Sequence, residues 1–260
     1  MLSEHTVARA ARNAGIEAPV QFAEVTGSTN TDLVRLAEQG APAWTVLATN
    51  HQERGRGRLG RTWVSRPGSS LLVSVLFRPE LPASEAALIT LGAGACMALA
   101  CSVACGVDVG CKWPNDLVVH DRKLGGILVE AKLGGAHVDY MVVGSGVNLE
   151  HDEDDFPPEL RGLATSVTME EGRPDAATLL FEYLFRLTRF CDPAKPGFRE
   201  TILDLYRRHC DTIGRRVRAI TTDGREVEGM ATGVGDDGEL LVATADGPAP
   251  VGFGEIAHLD

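Results

Sequence analysis

Apolar residues recur at helical spacing in four segments of the first 211 residues. Two short helices are predicted over residues 3–14 and 28–40, each with a serine at its start and a glycine at its end. Two longer amphipathic patterns cover residues 179–190 and 198–206. Each of these helices is expected to bury its apolar face against a common core.

A fifth apolar segment, residues 86–107, carries no charged residue over a length sufficient to cross a membrane. It consists mostly of Ala, Gly, Cys and Ser, and no cluster of Lys or Arg flanks it. The composition therefore predicts a buried helix over residues 84–105 that packs on a sheet, and no membrane association.

Short apolar runs rich in β-branched residues predict the strands of that sheet. They lie at residues 22–25, 44–48, 71–77, 117–119, 126–131 and 140–144. Several of them follow one another without an intervening helix, as strands of hairpins do. The pattern therefore predicts an α/β (α+β) fold with a mixed sheet flanked by helices.

The pattern changes after about residue 212. Alternating runs without a helical period are broken by Asp223-Gly224, Asp237-Gly238 and Asp246-Gly247, each typical of a tight turn. We therefore predict a main domain over residues 1–211 and a small β-barrel or sheet over residues 212–260. A unit this small buries little of its own surface, so it is expected to pack on the main domain.

Composition excludes one class of function and indicates a compartment. With 25 Lys and Arg against 36 Asp and Glu, the net charge is −11, which argues against a general electrostatic grip on nucleic acid or anionic membranes. The six cysteines form no C-x-x-C pair, and no signal peptide precedes them. They are interpreted as reduced thiols of a cytoplasmic protein, and no metal site is predicted.

The segment of residues 54–66, here called the Arg-Gly segment, is a local exception to the acidic composition. It holds five arginines, interspersed with Gly55, Gly57 and Gly60. Guanidinium groups suit phosphate and carboxylate oxygens, so we expect a mobile loop that orders around an anionic ligand. A merely solvated basic loop, touching nucleic acid, is the alternative. The glycines also match a dinucleotide-binding fingerprint, but the strand before and the helix after that such a fingerprint needs are missing.

A second segment reads Lys-Trp-Pro-Asn-Asp at residues 112–116 and is followed by residues 122–130, Arg-Lys-Leu-Gly-Gly-Ile-Leu-Val-Glu. Lys123 enters an apolar run, which is costly unless its ammonium group meets an anion. A hairpin is expected to bring Asp116 and Lys123 to the same end of two paired strands. The alternative is a surface hairpin with ordinary charges.

Taken together, these motifs resemble the biotin–protein ligases, and they occur in that family's order. The matching pieces are Gly-Ser-Thr-Asn at 27–30, Gln52 with Gly-Arg-Gly-Arg-Leu-Gly-Arg-x-Trp at 55–63, the two segments at 112–116 and 122–130, Gly-Ser-Gly-Val-Asn at 144–148, and Ala-Thr-Ser at 164–166. The resemblance implies a fold related to class II aminoacyl-tRNA synthetases and lipoate ligases, with an SH3-like domain at the C-terminus.

Two departures from the family pattern qualify the resemblance. Only about 20 residues precede the ligase core, fewer than a helix-turn-helix domain needs, so a single-function ligase that binds no DNA is expected. The chain ends in His258-Leu259-Asp260 where many relatives carry a basic residue, which puts a C-terminal contact to ATP in doubt.

The resemblance also implies the reaction and the residues that perform it. The family joins biotin and ATP, with Mg²⁺ entering on the phosphates, to biotinyl-5′-AMP, and then transfers biotin to a lysine of the biotin carboxyl carrier protein of acetyl-CoA or acyl-CoA carboxylase. The implied catalytic residues are Lys123, Arg58 and Asp116. The implied biotin-binding residues are Ser28, Thr29, Asn30, Gln52, Gly55, Arg56, Arg58, Lys123, Gly126, Leu128, Gly144 and Ser145. The implied ATP- and adenylate-binding residues are Arg56, Arg58, Arg61, Trp63, Asn115, Lys123 and Asn148.

Two alternatives remain at this point. A lipoate or octanoate ligase-type acyltransferase shares the fold, and biotin-dependent pyrophosphate exchange separates it from a biotin ligase. A non-enzymatic nucleic-acid-binding module predicts salt-sensitive binding and no ATP turnover. The sequence leaves the oligomeric state open.

Overall fold

A seven-stranded mixed sheet forms the centre of the protein. The computed structural model describes residues 1–221, 224–252 and 254–259. The strands are β1 (Val20–Thr26), β2 (Val46–Gln52), β3 (Ser70–Phe77), β4 (Gly110–Lys112), β5 (Asp116–Val119), β6 (Arg122–Gly134) and β7 (His137–Asn148). Their spatial order is β1-β2-β3-β7-β6-β5-β4. Strands β1 and β2 are parallel, and the other neighbours are antiparallel, so the predicted mixed sheet is confirmed.

The apolar pattern located most strands but not their full extent. All eight residues of β3 are buried, which explains why this central strand reads as a continuous apolar run. Strand β6 continues beyond its predicted end at residue 131 as an exposed extension paired with β7. Strand β4 was not predicted, because three residues with a single buried side chain carry no detectable period.

Within the described residues, five helices surround the sheet, as predicted. They are α1 (Glu4–Asn13), α2 (Thr29–Glu38), α3 (Ala86–Cys105), α4 (Ala176–Phe190) and α5 (Phe198–His209). Short 3₁₀ turns occur at Arg58–Gly60, Ala83–Glu85, Glu153–Asp155 and Pro158–Leu160. At the start of α1, the Ser3 hydroxyl accepts a hydrogen bond from the backbone N–H of Thr6 at 3.2 Å.

Helix α3 is the central helix of the core. The stretch Ala83–Cys105 is long and apolar enough to cross a membrane by length and composition, with a mean hydropathy of 2.0, but 72% of its apolar window is buried inside the protein. Gly92 lets α5 approach closely, since a Cβ atom there would lie 2.7 Å from Ile202. The helix thus has the packing of a core helix, as its small residues predict.

A second, antiparallel sheet follows α5. Its strands are β8 (Arg216–Thr221), β9 (Glu226–Val234), β10 (Leu240–Thr244), β11 (Gly247–Val251) and β12 (Gly254–His258), in the order β11-β10-β9-β8-β12. The predicted turns at Asp237-Gly238 and Asp246-Gly247 join β9 to β10 and β10 to β11. Asp223 of the third predicted turn lies outside the described residues. The small β domain is confirmed, while its boundary at residue 212 stays a prediction.

The second sheet packs on the first through Trp113. The indole Nε1 of this buried residue donates to the carbonyl oxygen of Gly238 at 3.0 Å, and its backbone N–H donates to the Thr212 hydroxyl at 3.0 Å. A tryptophan in the Lys-Trp-Pro-Asn-Asp segment therefore connects the two sheets next to the site described below.

Candidate active site

The ends of several strands and three connecting segments surround one cavity of about 440 Å³. That volume is in the range of sites for small organic ligands, about 300–1,000 Å³. Among the residues singled out from the sequence, those that line this cavity are Ser28, Thr29, Asn30, Gln52, Arg56, Arg58, Arg61, Trp63, Asn115, Asp116, Lys123, Gly126, Leu128, Gly144, Ser145 and Asn148. Motifs scattered over 120 residues of sequence thus meet in one place.

Gly55 is not among the residues that line the cavity. It lies buried beneath Trp63, whose backbone N–H donates to the Gly55 carbonyl oxygen at 3.0 Å. A Cβ atom on Gly55 would collide with the backbone of Trp63. The absence of a side chain at Gly55 therefore lets the backbone of Trp63 pack against it, and this contact places the tryptophan at the cavity.

One end of the cavity is a cluster of buried polar side chains. The backbone N–H and the hydroxyl of Thr29 both donate to Gln52 Oε1, at 2.8 and 3.1 Å. The Asn30 side chain crosses directly over Gly144, where a Cβ atom would collide with it. The Ser145 hydroxyl shares a 2.7 Å hydrogen bond with Tyr183. Ser28 stands at the N-cap position of α2 without a capping hydrogen bond from its side chain, so its hydroxyl is available to the cavity.

Lys123 and Asp116 form an ion pair in the middle of the cavity, with 2.6 Å between Nζ and Oδ1. One expectation about this pair was wrong in detail. Asp116 is not at the same strand end as Lys123: it pairs with Gly126, and the lysine side chain extends along β6 to reach it. The Lys123 side chain is 41% exposed.

The backbone of Lys123 is held by the segment that contains Ala-Thr-Ser. Its N–H donates to Leu163 at 2.8 Å, and its carbonyl oxygen accepts from the N–H of Thr165 at 2.9 Å. Glu170 supports the arrangement, since it accepts from the Thr165 hydroxyl at 2.6 Å and from Arg122 at 2.7 Å. The sequence motif at 164–166 therefore positions the lysine rather than presenting polar side chains to a ligand.

The arginines of the Arg-Gly segment contact three different parts of the protein. Arg58 donates to Asn115 Oδ1 at 2.8 Å and to the carbonyl oxygen of Gly254 at 3.1 Å. Arg61 forms an ion pair with Glu255 at 2.5 Å, and Arg56 forms one with Glu130 at 2.7 Å. These contacts place cationic groups along the cavity mouth. Ordering of the segment on ligand binding stays a prediction.

Arg58 is the most enclosed of these cations. Burial lowers the pKa of its guanidinium, and the nearby carboxylates of Asp116 and Glu255 act in the opposite direction. Leu59, the next residue, adopts a left-handed conformation with φ of 54°, which is unfavourable for a residue with a branched side chain. The segment thus places an exposed leucine at its tip and turns Arg58 inward.

A buried acceptor marks the opposite end of the cavity. Asn148 donates through Nδ2 to the carbonyl oxygen of Thr165 at 3.0 Å, which fixes the orientation of its amide. Its Oδ1 has no hydrogen-bond partner among the described residues, and the same holds for the indole Nε1 of Trp63. The Trp63 ring packs on Gly146, where a Cβ atom would lie 2.9 Å from it. Unpaired buried polar atoms beside a cavity suit a ligand that supplies the missing partner.

Several lining residues had no signal in the sequence. Glu255 and Ile256 come from the second sheet, and Phe156, Leu160 and Leu163 come from the loop that follows the acidic run. In that run, residues 150–155, Glu150, Asp152 and Asp154 are exposed, and apolar side chains that follow it line the cavity.

One cluster outside the cavity has metal-like composition. Ligand atoms of Asp121, Asp211 and His258 lie within 4.8 Å of one another. Arg215 already bridges the two carboxylates, with its Nη1 2.7 Å from Asp121 and 3.1 Å from Asp211. The guanidinium supplies the positive charge that the cluster requires, so we assign no metal there.

Comparison with known proteins agrees with this geometry. Residues 22–148 match the Biotin/lipoate A/B protein ligase family, and residues 212–259 match the Biotin protein ligase C terminal domain. The chain is 32% identical over 228 residues to the bifunctional ligase/repressor BirA of Bacillus subtilis, covering 87% of this chain and 70% of that protein. It is 32% identical over 242 residues to the biotin–[acetyl-CoA-carboxylase] ligase of Mycobacterium tuberculosis, covering 90% and 86%.

A solved structure shows the same fold. The biotin protein ligase from Aquifex aeolicus in complex with biotin and ATP superposes with a TM-score of 0.77 at 24% identity, covering 92% of this chain and 99% of that one. The mixed sheet, its flanking helices and the small second sheet thus define a protein of the biotin and lipoate ligase class. Within that class, the chain belongs to the biotin–protein ligase family.

Proposed function

We propose that this protein activates biotin with ATP and attaches it to a lysine of a biotin carboxyl carrier protein. The observation that carries the proposal is the order of groups along strand β7. The Asn30 side chain of the polar cluster lies at Gly144. Lys123 lies at Gly126, which pairs with Gly146, and the buried acceptor of Asn148 follows two residues further along the strand. A ligand of two parts, biotin and adenosine, would therefore have its junction at the ammonium group.

The first step joins two anions, and the cavity offsets their repulsion. A carboxylate oxygen of biotin attacks the α-phosphorus of ATP, the new C–O–P linkage forms, and the bond to pyrophosphate breaks. Lys123 is proposed to contact both anions, and Arg58, Arg56 and Arg61 the phosphates. Fixed cations aimed at developing negative charge are among the most effective catalytic devices that proteins use.

The polar end is proposed to hold the ureido ring of biotin. That ring offers a carbonyl acceptor and two N–H donors, and the buried Ser28 and Thr29 and the partly buried Gln52 present both kinds of partner. Trp63, Leu128 and the backbone of residues 144–146 supply apolar walls for the rest of the molecule. The Asn148 Oδ1 atom is proposed to accept from the adenine amino group, which would satisfy an acceptor that is otherwise buried without a partner.

Mg²⁺ is proposed to enter with the ATP phosphates. The described lining of the cavity includes two carboxylates, Asp116 and Glu255, and each is paired with a cation of the protein. This donor set fits an ion that keeps most of its water and takes its oxygen ligands from the nucleotide.

The second step transfers biotin to the carrier. The lysine amine of the carrier attacks the acyl carbon of the adenylate, an amide bond forms, and AMP leaves. Asp116 lies beside Lys123 at the junction and is proposed to orient the incoming amine and to accept its proton. The chain, in this proposal, comprises a ligase unit over residues 1–211 and a C-terminal unit over residues 212–260, which adds Glu255 and Ile256 to the cavity.

The carrier is proposed to be that of acetyl-CoA or acyl-CoA carboxylase, and the compartment the cytoplasm. A biotin–[acetyl-CoA-carboxylase] ligase is among the relatives, which supports the choice of carrier. The six buried cysteines without a disulfide are consistent with a reducing compartment. The match to the C-terminal domain of biotin protein ligases favours biotin over lipoate as the acid.

One assay tests the proposal. The protein is mixed with ATP, Mg²⁺, a carrier domain and either biotin or lipoate, and the carrier is weighed by mass spectrometry. The carrier is expected to gain the mass of one biotinyl group in the reaction with biotin and no mass in the reaction with lipoate. No gain with either acid, or a gain with lipoate alone, would contradict it.

A further inference from the structure

Glu130, on strand β6, touches both the biotin end of the cavity and the Arg-Gly segment, although it does not line the cavity. Its Oε1 accepts from Arg56 Nη1 at 2.7 Å, and its Oε2 accepts from Asn30 Nδ2 at 3.0 Å. One carboxylate therefore joins a side chain of helix α2 to a side chain of the loop.

The connection continues on the other side of Asn30. The hydroxyl of Ser74, a fully buried residue of β3, lies 2.7 Å from Asn30 Oδ1 and 2.7 Å from the hydroxyl of Thr29. Thr29 in turn donates to Gln52. A continuous series of hydrogen bonds thus runs from Gln52, at the proposed ureido site, to Arg56 of the Arg-Gly segment.

Ser74 has one proton for two acceptors, the Thr29 hydroxyl and Asn30 Oδ1. A ligand N–H that donates to the Thr29 hydroxyl would compete with Ser74 for that oxygen and would favour donation from Ser74 to Asn30 Oδ1. Asn30 cannot simply rotate its amide, since Nδ2 also donates to the carbonyl oxygen of Leu128 at 3.1 Å. Fixing Asn30 in this way fixes the carboxylate that holds Arg56.

We propose that Glu130 is a positioning residue that couples biotin binding at Thr29 and Gln52 to the ordering of the Arg-Gly segment through Arg56. The inference rests on the proposed function and extends it to a residue outside the cavity. Coupling between two sites is reciprocal, so the loop stabilises bound biotin by the same factor by which biotin stabilises the ordered loop.

The variant Glu130→Gln separates the two contacts with almost no change of shape. A carboxylate has two acceptor oxygens, and both are used here, whereas an amide has one. The glutamine can therefore satisfy Arg56 or Asn30 but not both. Glu228→Gln is the matched control, because it removes an ion pair with Arg216 on the surface of the second sheet.

The measurement is the rate of tryptic cleavage within residues 54–66, with and without saturating biotin, so that occupancy is equal in all variants. In the unaltered protein and in Glu228→Gln, biotin is expected to slow cleavage at least about fivefold, the lower end of typical coupling factors. In Glu130→Gln the two rates are expected to agree within about twofold.

A second readout separates coupling from general damage. The KM for biotin in Glu130→Gln is expected to rise roughly fivefold by reciprocity. The kcat for pyrophosphate release is expected to stay within about twofold, because ATP can still order the segment through Arg58 and Arg61. Should Glu130→Gln not fold, Ser74→Ala interrupts the series at its other end and is expected to abolish the protection by biotin.

The inference is overturned if biotin still protects residues 54–66 from trypsin in Glu130→Gln. If Glu130→Gln does not fold, the same result in Ser74→Ala overturns it. Equal loss in Glu130→Gln and Glu228→Gln overturns it as well, because the effect would then be unspecific. A protein that biotinylates the carrier but shows no protection also contradicts the coupling and leaves the proposed function intact. A protein that binds no biotin contradicts the proposed function itself.

Discussion

Lys123 Nζ lies 2.6 Å from Asp116 Oδ1, although the two residues are not opposite each other in the β5–β6 ladder. The lysine side chain extends past Gly126, where a Cβ atom would lie 3.5 Å from its Cε. An ion pair this exposed contributes little to stability, about 1 kcal/mol at most. The ion pair therefore orients the ammonium group of Lys123 but is weak enough for ligand anions to replace Asp116 as its partner.

Replacing Lys123 with alanine is expected to stop activation of biotin without preventing its binding. Removal of one group that stabilises transition-state charge lowers kcat by about 100- to 1,000-fold. Biotin binding should weaken far less, because the proposed ureido contacts lie at the other end of the cavity. Pyrophosphate release and equilibrium binding of biotin measure the two effects.

Lys132→Ala is the control for that experiment, since Lys132 is an exposed lysine on the same strand. It should leave pyrophosphate release within about twofold of the original rate, as surface substitutions usually do. Pyrophosphate release unchanged in Lys123→Ala would exclude the catalytic role of the ammonium group.

Replacing Arg58 with glycine is expected to let the adenylate escape. A hydrogen bond to a charged group contributes about 1.5–3 kcal/mol, so free biotinyl-5′-AMP should dissociate roughly tenfold faster or more. Chromatography of the reaction mixture without carrier measures the released adenylate. Arg225→Gly, at an exposed arginine directly before β9, provides the control. If Arg58→Gly and Arg225→Gly retain biotinyl-5′-AMP equally well, the proposed contact between Arg58 and the phosphate is contradicted.

Gly144→Ala is expected to damage the biotin end of the cavity. The new methyl group would collide with the Asn30 side chain, and overpacking of this kind typically costs about 1–3 kcal/mol. The free energy of unfolding and the affinity for biotin should both fall. In Gly233→Ala the methyl group would meet only Leu241 at 4.0 Å, so the free energy of unfolding should change by less than about 0.5 kcal/mol. Normal biotin affinity in Gly144→Ala would show that Asn30 has room to move.

Stability is expected to fall below about pH 6.5, the ordinary pKa of histidine, partly because of His151. Burial lowers the pKa of His151, with the charge of Arg66 adding to the effect. The ring forms one hydrogen bond, between its Nε2 and the Ser69 hydroxyl, and it stacks on Phe156. Because the folded state resists protonation, the unfolded state binds more protons in acid, and the stabilisation present above pH 6.5 is lost as the pH decreases.

His151→Gln should therefore flatten the dependence of the unfolding free energy on pH between 7 and 5. Denaturant titrations at several pH values measure it, and His5→Gln, an exposed residue of α1, should keep the original slope. Part of the slope should remain in His151→Gln, because burial also lowers the pKa of His258. A slope identical to that of the unaltered protein would show that His151 titrates normally.

The sequence predicts those parts of the site in which the functional side chains lie close together in one short segment. The Arg-Gly segment and Lys-Trp-Pro-Asn-Asp each combine charged and turn-forming residues within a few positions. Ser74 had no such signal, because a serine in an apolar strand is unremarkable until the fold places it beside Asn30. Glu130 is the last residue of the 122–130 motif, but nothing in the sequence gave it a contact with Asn30.

Element boundaries were predictable only where burial changes along the chain. Helix α1 ends where its apolar period ends, close to Gly15. By contrast, the last four residues of β6 are exposed and pair with β7 through their backbone, so hydrophobicity does not indicate where the strand ends. The contribution of Glu255 depends on a contact between residues nearly 200 positions apart, which periodicity does not encode.

The six cysteines can report local opening of the core, because a buried thiol reacts with a thiol reagent only when the structure around it opens. Three lie in α3, one in β4, and two directly after α4 and α5, and all are buried: Cys96, Cys101, Cys105, Cys111, Cys191 and Cys210. Burial raises the pKa of Cys96 to about 12, so neither access nor ionisation favours reaction with a thiol reagent. Alkylation of each cysteine, followed by peptide mass, would therefore report how often the surrounding helices part, without any label being introduced.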